Sequence, residues 1–451
     1  MLAIDRHVCT VRHLGLLLSA LFLVTPGCSS ETQLMPTPNI YARPDAKPFA
    51  QVPAELQNNR VDVLYLTDRQ PEHPSSKNPD YGYKRSRSVA FGVSKVEFGK
   101  DVSWDQLVEA STTSKRKAEL PVRVVSTTEI VRYPETPRVL MTLTPSLPGE
   151  TASPEADALR AELESKKARA NQELTARLAK TPDKEVYLFI HGYNNSFDDA
   201  VMTIAQIWHF LGRRGVPMAY TWPAGRGGLL RGYTYDRESS EFTVYHLKEV
   251  IRGIALCPEV KKIHIISHSR GTGVLLSALC ELHLEIGGSG RVTRDVLKLG
   301  TVIMAAPDID VDVMIQRAVT VRLGLVPEHS AIYLCASDKA LSISNWLFGG
   351  SSRVGTVRSD MFPATELQLL RNSKTVEMID ARVSNAGAFN HNYFYANPAV
   401  SSDLILLLRY QRLPGVESGR PLRIDDGAFW IIDDGYPGAT TLPVSEAGTG
   451  D

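Results

Sequence analysis

The sequence has little cysteine, no excess of either charge and no apolar run long enough to cross a bilayer comfortably. Five cysteines occur among 451 residues, and only Cys257, Cys280 and Cys335 lie outside the first 28. An odd number with no metal-ligand spacing excludes a complete disulfide framework, so the three read as buried free thiols. Fifty Lys and Arg balance fifty Asp and Glu with no long block of one sign. Nucleic acid is therefore not expected as a partner, because phosphate binding needs concentrated positive surface. No internal repeat is visible. What the chain does have is 43% hydrophobic and 22% charged residues, an ordinary globular composition that can fill a core.

The amino terminus reads as a targeting segment. Arg6 and Arg12 precede the short apolar run LGLLLSALFLV (14–24), and TPGCSS follows. Gly27-Cys28 fits the lipobox of bacterial lipoproteins, although Thr25-Pro26 departs from its usual leucine. Residues 1–27 are thus expected to be a signal peptide and Cys28 the lipidated residue, which predicts an exported protein held in the cell envelope by a lipid anchor. The polar, proline-rich residues 28–59 read as a tether.

Residues 60–411 read as one α/β domain. Short β-rich runs (60–69, 88–98, 122–133) predict an antiparallel extension at its start. The charged stretch 153–180 predicts a helix capped by Ser153, with acids early, bases late and leucines 159, 163, 174 and 178 on its buried face. Thereafter continuous apolar strands alternate with amphipathic helices, which predicts a mostly parallel sheet covered on both faces. The tail 412–451 offers one strand, GAFWIID, and otherwise reads as loosely ordered.

In a parallel sheet the chemistry gathers at the carboxyl ends of strands. The strand KIHIISHS ends in Ser267-His268-Ser269-Arg270-Gly271, a nucleophile elbow with serine in place of its first glycine; the sharp turn needs small residues around the central serine. A serine hydroxyl requires a base, and the base an orienting carboxylate, in the chain order Ser, acid, His. His283 lies in the helix after the elbow and His329 precedes a strand, which leaves His391, in the loop GAFNHNYFYANP, as the base. Asp338, at the end of AIYLCASD, is the favoured acid; Asp308 in AAPDID is the runner-up, with Asp310 behind it. Asp338 and Asp308 could equally serve as helix N-caps. Oxyanion donors are expected from the backbone N–H groups of Arg270 and of Tyr193 in FIHGYNNSF, where Gly192 permits close approach. His191 reads as an orienter of that loop and His268 as a packed residue.

The set YLTDR, FIHGYNNSFDDA, YTWPA…GYTYDRESS, ISHSRG, AAPDID, YLCASDKAL and NHNYF resembles a bacterial alpha/beta-hydrolase family of esterase/lipase-like proteins, the domain-of-unknown-function 900 type, over residues 60–410. The resemblance implies an alpha/beta-hydrolase fold with Ser269, Asp338 and His391 as the triad. Arg270 departs from the methionine or glutamine that many hydrolases carry there.

The function expected is a serine hydrolase of carboxylic esters that uses no metal or organic cofactor, with a small-molecule ester as its substrate. The alternative is a catalytically silent hydrolase fold serving as an envelope scaffold, and a peptidase is a smaller third possibility. Loops 222–233 and 345–355, with Trp222, Leu229, Leu230, Trp346 and Phe348, are candidate pocket covers. Oligomeric state is left open by the sequence.

Overall fold

The computed structural model describes residues 31–73, 76, 78–137, 142, 153–319, 322–348, 352–384, 388–425 and 427–438. Residues 1–30, including the expected signal peptide and Cys28, lie outside them, as do the side chains of Leu229, Leu230, Trp346 and Phe348. The strands are β1 (Arg60–Pro71), β2 (Tyr81–Phe98), β3 (Val122–Arg132), β4 (Glu185–Ile190), β5 (Val216–Thr221), β6 (Lys262–His268), β7 (Leu299–Ala305), β8 (His329–Leu334), β9 (Val376–Arg382), β10 (Arg423–Ile424) and β11 (Trp430–Asp433). The helices that matter below are α1 (Trp104–Thr112), α2 (Pro154–Leu178), α3 (Phe197–Phe210), α4 (Leu229–Phe242), α5 (Val244–Leu256), α6 (Arg270–Gly288), α7 (Lys339–Phe348) and α8 (Pro398–Leu408).

The strands form one sheet in the order β10-β11-β9-β8-β7-β6-β4-β5-β1-β2-β3. From β11 to β1 every pairing is parallel; β2 and β3 continue the sheet as the antiparallel extension, and β10 closes the other edge antiparallel. Alternate side chains of β4 go to opposite faces. Tyr187 and Phe189 pack with α3 and α8, whereas Val186, Leu188 and Ile190 pack with α5 and α6. Both faces are therefore dry, which is why the central strands are apolar throughout rather than alternating.

Strand order reverses at β4. The chain leaves β4 outward to β5 and returns to β6 on the other side, so the helices that follow β4 and β6 lie on opposite faces. A crevice at the carboxyl ends of β4 and β6 is the geometric consequence.

Both ends of the chain are more integrated than their sequence suggests. Residues 31–59 do not stand off as a tether: Leu34, Met35, Ile40, Tyr41, Phe49 and Val52 are buried. Thr32 and Leu34 bond to the backbone beside β3, and Phe49 stacks on His209 at 4.6 Å. Proline removes regular structure, but the apolar side chains between the prolines still bury area at about 25 cal/mol per Å². The tail, too, is part of the domain up to residue 438. The helix 154–178 forms with its Ser153 cap, but of the four leucines only Leu174 and Leu178 are buried; Leu159 and Leu163 are half-exposed. Cys257 and Cys335 are buried free thiols, and Cys280 is only half-buried.

Arg420, fully buried, locks the tail. Its guanidinium gives two 2.8 Å bonds to Asp403 of α8 and one of 2.7 Å to Glu377 of β9. Tyr333 and Tyr436 also donate to Asp403. Removing the cation leaves two buried carboxylates uncompensated. Arg420→Met is expected to destabilise the fold by about 3–5 kcal/mol, read as a lowered midpoint in urea; an unchanged midpoint would contradict this role.

Candidate active site

Ser269 follows the last residue of β6 and precedes the first of α6, with φ 52° and ψ −122°. Such a turn is possible only if the surroundings are small. A Cβ on Gly192 would lie 2.8 Å from Ser269 Cβ, and one on Gly271 only 2.3 Å from the His191 carbonyl oxygen. The two glycines thus let the β4–α3 loop, the turn and the start of α6 touch one another. The Ser269 N–H donates to Ala305 O at 2.9 Å, and Ser269 O accepts from Thr272 and Asp308. The Arg270 N–H, first in α6, has no acceptor within its own helix.

Asp338 and His391 meet. Asp338 is fully buried, and its Oδ2 lies 2.7 Å from His391 Nδ1. Its Oδ1 accepts the Leu341 N–H at 3.0 Å, so the same carboxylate also caps α7. One oxygen of Asp338 thus faces His391 while the other caps the helix. His391 itself is partly exposed, and its ring centroid is 4.6 Å from that of His268, the neighbour of Ser269. Among the described residues the Ser269 hydroxyl makes no hydrogen bond; loose contacts of this kind are usual when no substrate is bound.

Asp308 is directed elsewhere. Its Oδ1 lies 3.4 Å from Arg353 Nε and 3.3 Å from Ser344 Oγ. Asp310 caps the short helix Val311–Met314. Other histidine–carboxylate pairs exist: His246–Asp68, His264–Glu185 and His329–Glu377. His264 and His329 belong to the first half of their strands, the wrong edge of a parallel sheet. His246–Asp68 is sealed under β1 and α5, with Thr136 on the far nitrogen at 2.8 Å. Among the described residues only His391 pairs its carboxylate next to the strained serine.

The loop carrying Tyr193 is held by residues that the sequence did not single out. Arg69, at the end of β1 and 1% exposed, donates to Asn195 O (2.8 Å), Ala224 O (2.9 Å) and Gly82 O (3.0 Å). Its remaining contact is His191 Nε2 at 3.2 Å, a nitrogen that also lies 3.1 Å from Trp222 O. His191 Nδ1 lies 2.9 Å from Gly192 O. On the other side Asp236 of α4 accepts the N–H groups of Asn194 and Gly225. Arg69 stands in YLTDR and Asp236 in GYTYDRESS, so the strings were visible while their roles needed the fold. Trp222 does not cover a pocket: it is fully buried and stacks on His191 at 5.0 Å.

On the His391 side, the Tyr393 hydroxyl donates to Tyr333 O (2.7 Å) and accepts from Ala306 N (3.2 Å), tying that loop to the ends of β7 and β8. Among the described residues no group of three or more His, Cys, Asp or Glu side chains converges as a metal site would need. No described helix is long and apolar enough to cross a membrane.

A mostly parallel sheet with a strained serine turn after β6 is the architecture of an alpha/beta hydrolase. A family model described as alpha/beta hydrolase of unknown function (DUF900) matches residues 166–409, more than half of the chain, and the chain belongs to that family. No curated protein matches it significantly.

Burial holds three histidines neutral. His191 is pushed down to about 3 by burial and by the Arg69 charge, and His209 and His268 lie well below the usual histidine value, chiefly through burial. The unfolded chain binds protons at these sites near pH 6.5 and the folded one does not, so acid favours unfolding. Stability is expected to fall as pH drops below about 6.5, approaching 1.4 kcal/mol per pH unit for each histidine. Urea midpoints between pH 8 and pH 5 would show the fall, and a flat profile would contradict it.

Proposed function

We propose that the protein is a serine hydrolase of carboxylic esters, with Ser269 as nucleophile, His391 as general base and Asp338 as the carboxylate that orients it. The observation that carries this reading is the Asp338–His391 pair standing beside a serine in strained turn geometry. Ser269 Oγ would attack the ester carbonyl while its proton passes to His391 Nε2, the nitrogen left free by the Nδ1–Asp338 bond. The N–H groups of Tyr193 and Arg270 would stabilise the charge on the carbonyl oxygen. Collapse expels the alcohol, which takes the proton from His391 and leaves an acyl group on Ser269. Water, deprotonated by His391, then releases the acid and restores the serine.

The sequence up to Cys28 supports export and a lipid anchor in the cell envelope, which would bring the site to ester substrates there. A silent scaffold is the second reading, since among the described residues the Ser269 hydroxyl has no hydrogen bond to a base.

Turnover of p-nitrophenyl esters of increasing chain length separates the two readings. Ser269→Ala is expected to lower kcat by at least about 10⁴-fold and Asp338→Asn by about 10³–10⁴-fold. Asp308→Asn should cost far less. A parent protein that is folded and turns over none of the series would support the scaffold. Equal losses from Asp308→Asn and Asp338→Asn would overturn the choice of acid.

A further inference from the structure

A cavity of about 340 Å³ opens on the flank of the serine turn, between α4 and α6, with residues 308–317 and Arg353 on its far side. Ser269 and His391 do not line it; it neighbours the serine turn through Arg270, the next residue, and Asp308, whose N–H donates to Ser269 O. Arg270, next to Ser269, forms one wall; Tyr233 forms another, its ring 5.6 Å from that of Tyr193. Its lining holds four arginines and three carboxylates. Most of these charges are already engaged: Arg353 with Asp308, Arg317 with Ser277, and Asp310 with the N–H groups of Asp312 and Val313.

Each of the four guanidinium groups keeps unused donors, and Arg270 and Arg237 are the two carried by α6 and α4. Arg270 is half-buried and makes one side-chain bond, from Nε to Ser240 Oγ at 3.3 Å. Arg237 makes no side-chain hydrogen bond or ion pair among the described residues, and the uncommitted carboxylate near it is Glu241. A guanidinium has five N–H donors in a fork that fits a carboxylate or phosphate. Arg237 is exposed and Arg270 half-buried, so both forks stay within reach of a ligand that enters the cavity. Only the backbone N–H of residue 270 faces the carbonyl oxygen in the proposed reaction, so its side chain can serve another purpose. The rest of the wall is apolar, with Leu276, Ile309 and Val313, and Gly273 keeps the floor open: a Cβ there would meet only Ile309, at 3.8 Å.

We infer that this cavity is an anion-recognising subsite, and that the substrate is an ester whose acyl or alcohol part carries a carboxylate or phosphate bound by Arg270 and Arg237. The substrate class rests on the hydrolase reading; the binding site does not.

The test is calorimetry on Ser269→Ala protein, which cannot turn over its ligand, with monophenyl glutarate, butyryl glycerol 3-phosphate and the neutral phenyl valerate. At least one anionic ester should bind about tenfold or more tighter than phenyl valerate. Arg270→Met and Arg237→Gln, each in the Ser269→Ala background, should shrink that preference at least about threefold. Which of the two anionic esters gains identifies the recognised group. Equal binding of all three, no binding of any, or a preference that survives both substitutions would overturn the subsite. Turnover of the same esters by the parent keeps the two readings apart: selective binding without turnover sinks the hydrolase alone, and turnover without selectivity sinks the subsite alone.

Discussion

The backbone at Ser269 is held where side chains rarely go, at a cost of about 1–3 kcal/mol, and much of the neighbouring structure serves to keep it there. Its N–H is tied to β7 through Ala305, its carbonyl to Thr272 and Asp308, and its flanks are cleared by Gly192 and Gly271. Because β6 lies beside β4, where strand order reverses, the turn that holds Ser269 stands at the carboxyl ends of those two strands. A serine in an ordinary strand end would need none of these arrangements.

Two side chains do double service around that turn. Asp338 uses one oxygen to start α7 and the other to orient His391, so the helix and the histidine are positioned by one buried group. Arg69 joins β1, β2, the β5–α4 loop and the β4–α3 loop through a single guanidinium, and it also touches His191. Its burial lowers its pKa to about 10, which still leaves it charged at neutral pH. A lysine could not make these divergent bonds, since only a planar fork reaches several carbonyls at once.

Regular elements were legible because their signals are local. The apolar runs of β4, β6, β7 and β8, and the small residues around Ser269, place the sheet and the turn without reference to anything distant. Chain order pointed to Asp338 and His391, and the fold brings these two together. What stayed hidden depends on contacts across long separations. Arg69, Asp236 and Arg420 look like surface charges until the fold buries them, Arg69 against carbonyls more than a hundred residues away, Asp236 against the N–H groups of two loops, and Arg420 against carboxylates of α8 and β9. The segments 31–59 and 412–438 were misjudged for a related reason: an irregular strap has no period, and prolines mask apolar residues such as Tyr41 and Phe49 that are buried one at a time.

The claim on which the account turns is that Ser269 is chemically activated. Treatment of the folded protein with a fluorophosphonate, followed by digestion and mass spectrometry, tests it most directly. The account predicts one stoichiometric adduct, on the peptide that holds Ser269. A folded protein that takes up no phosphonate, or takes it up at another residue, would contradict it.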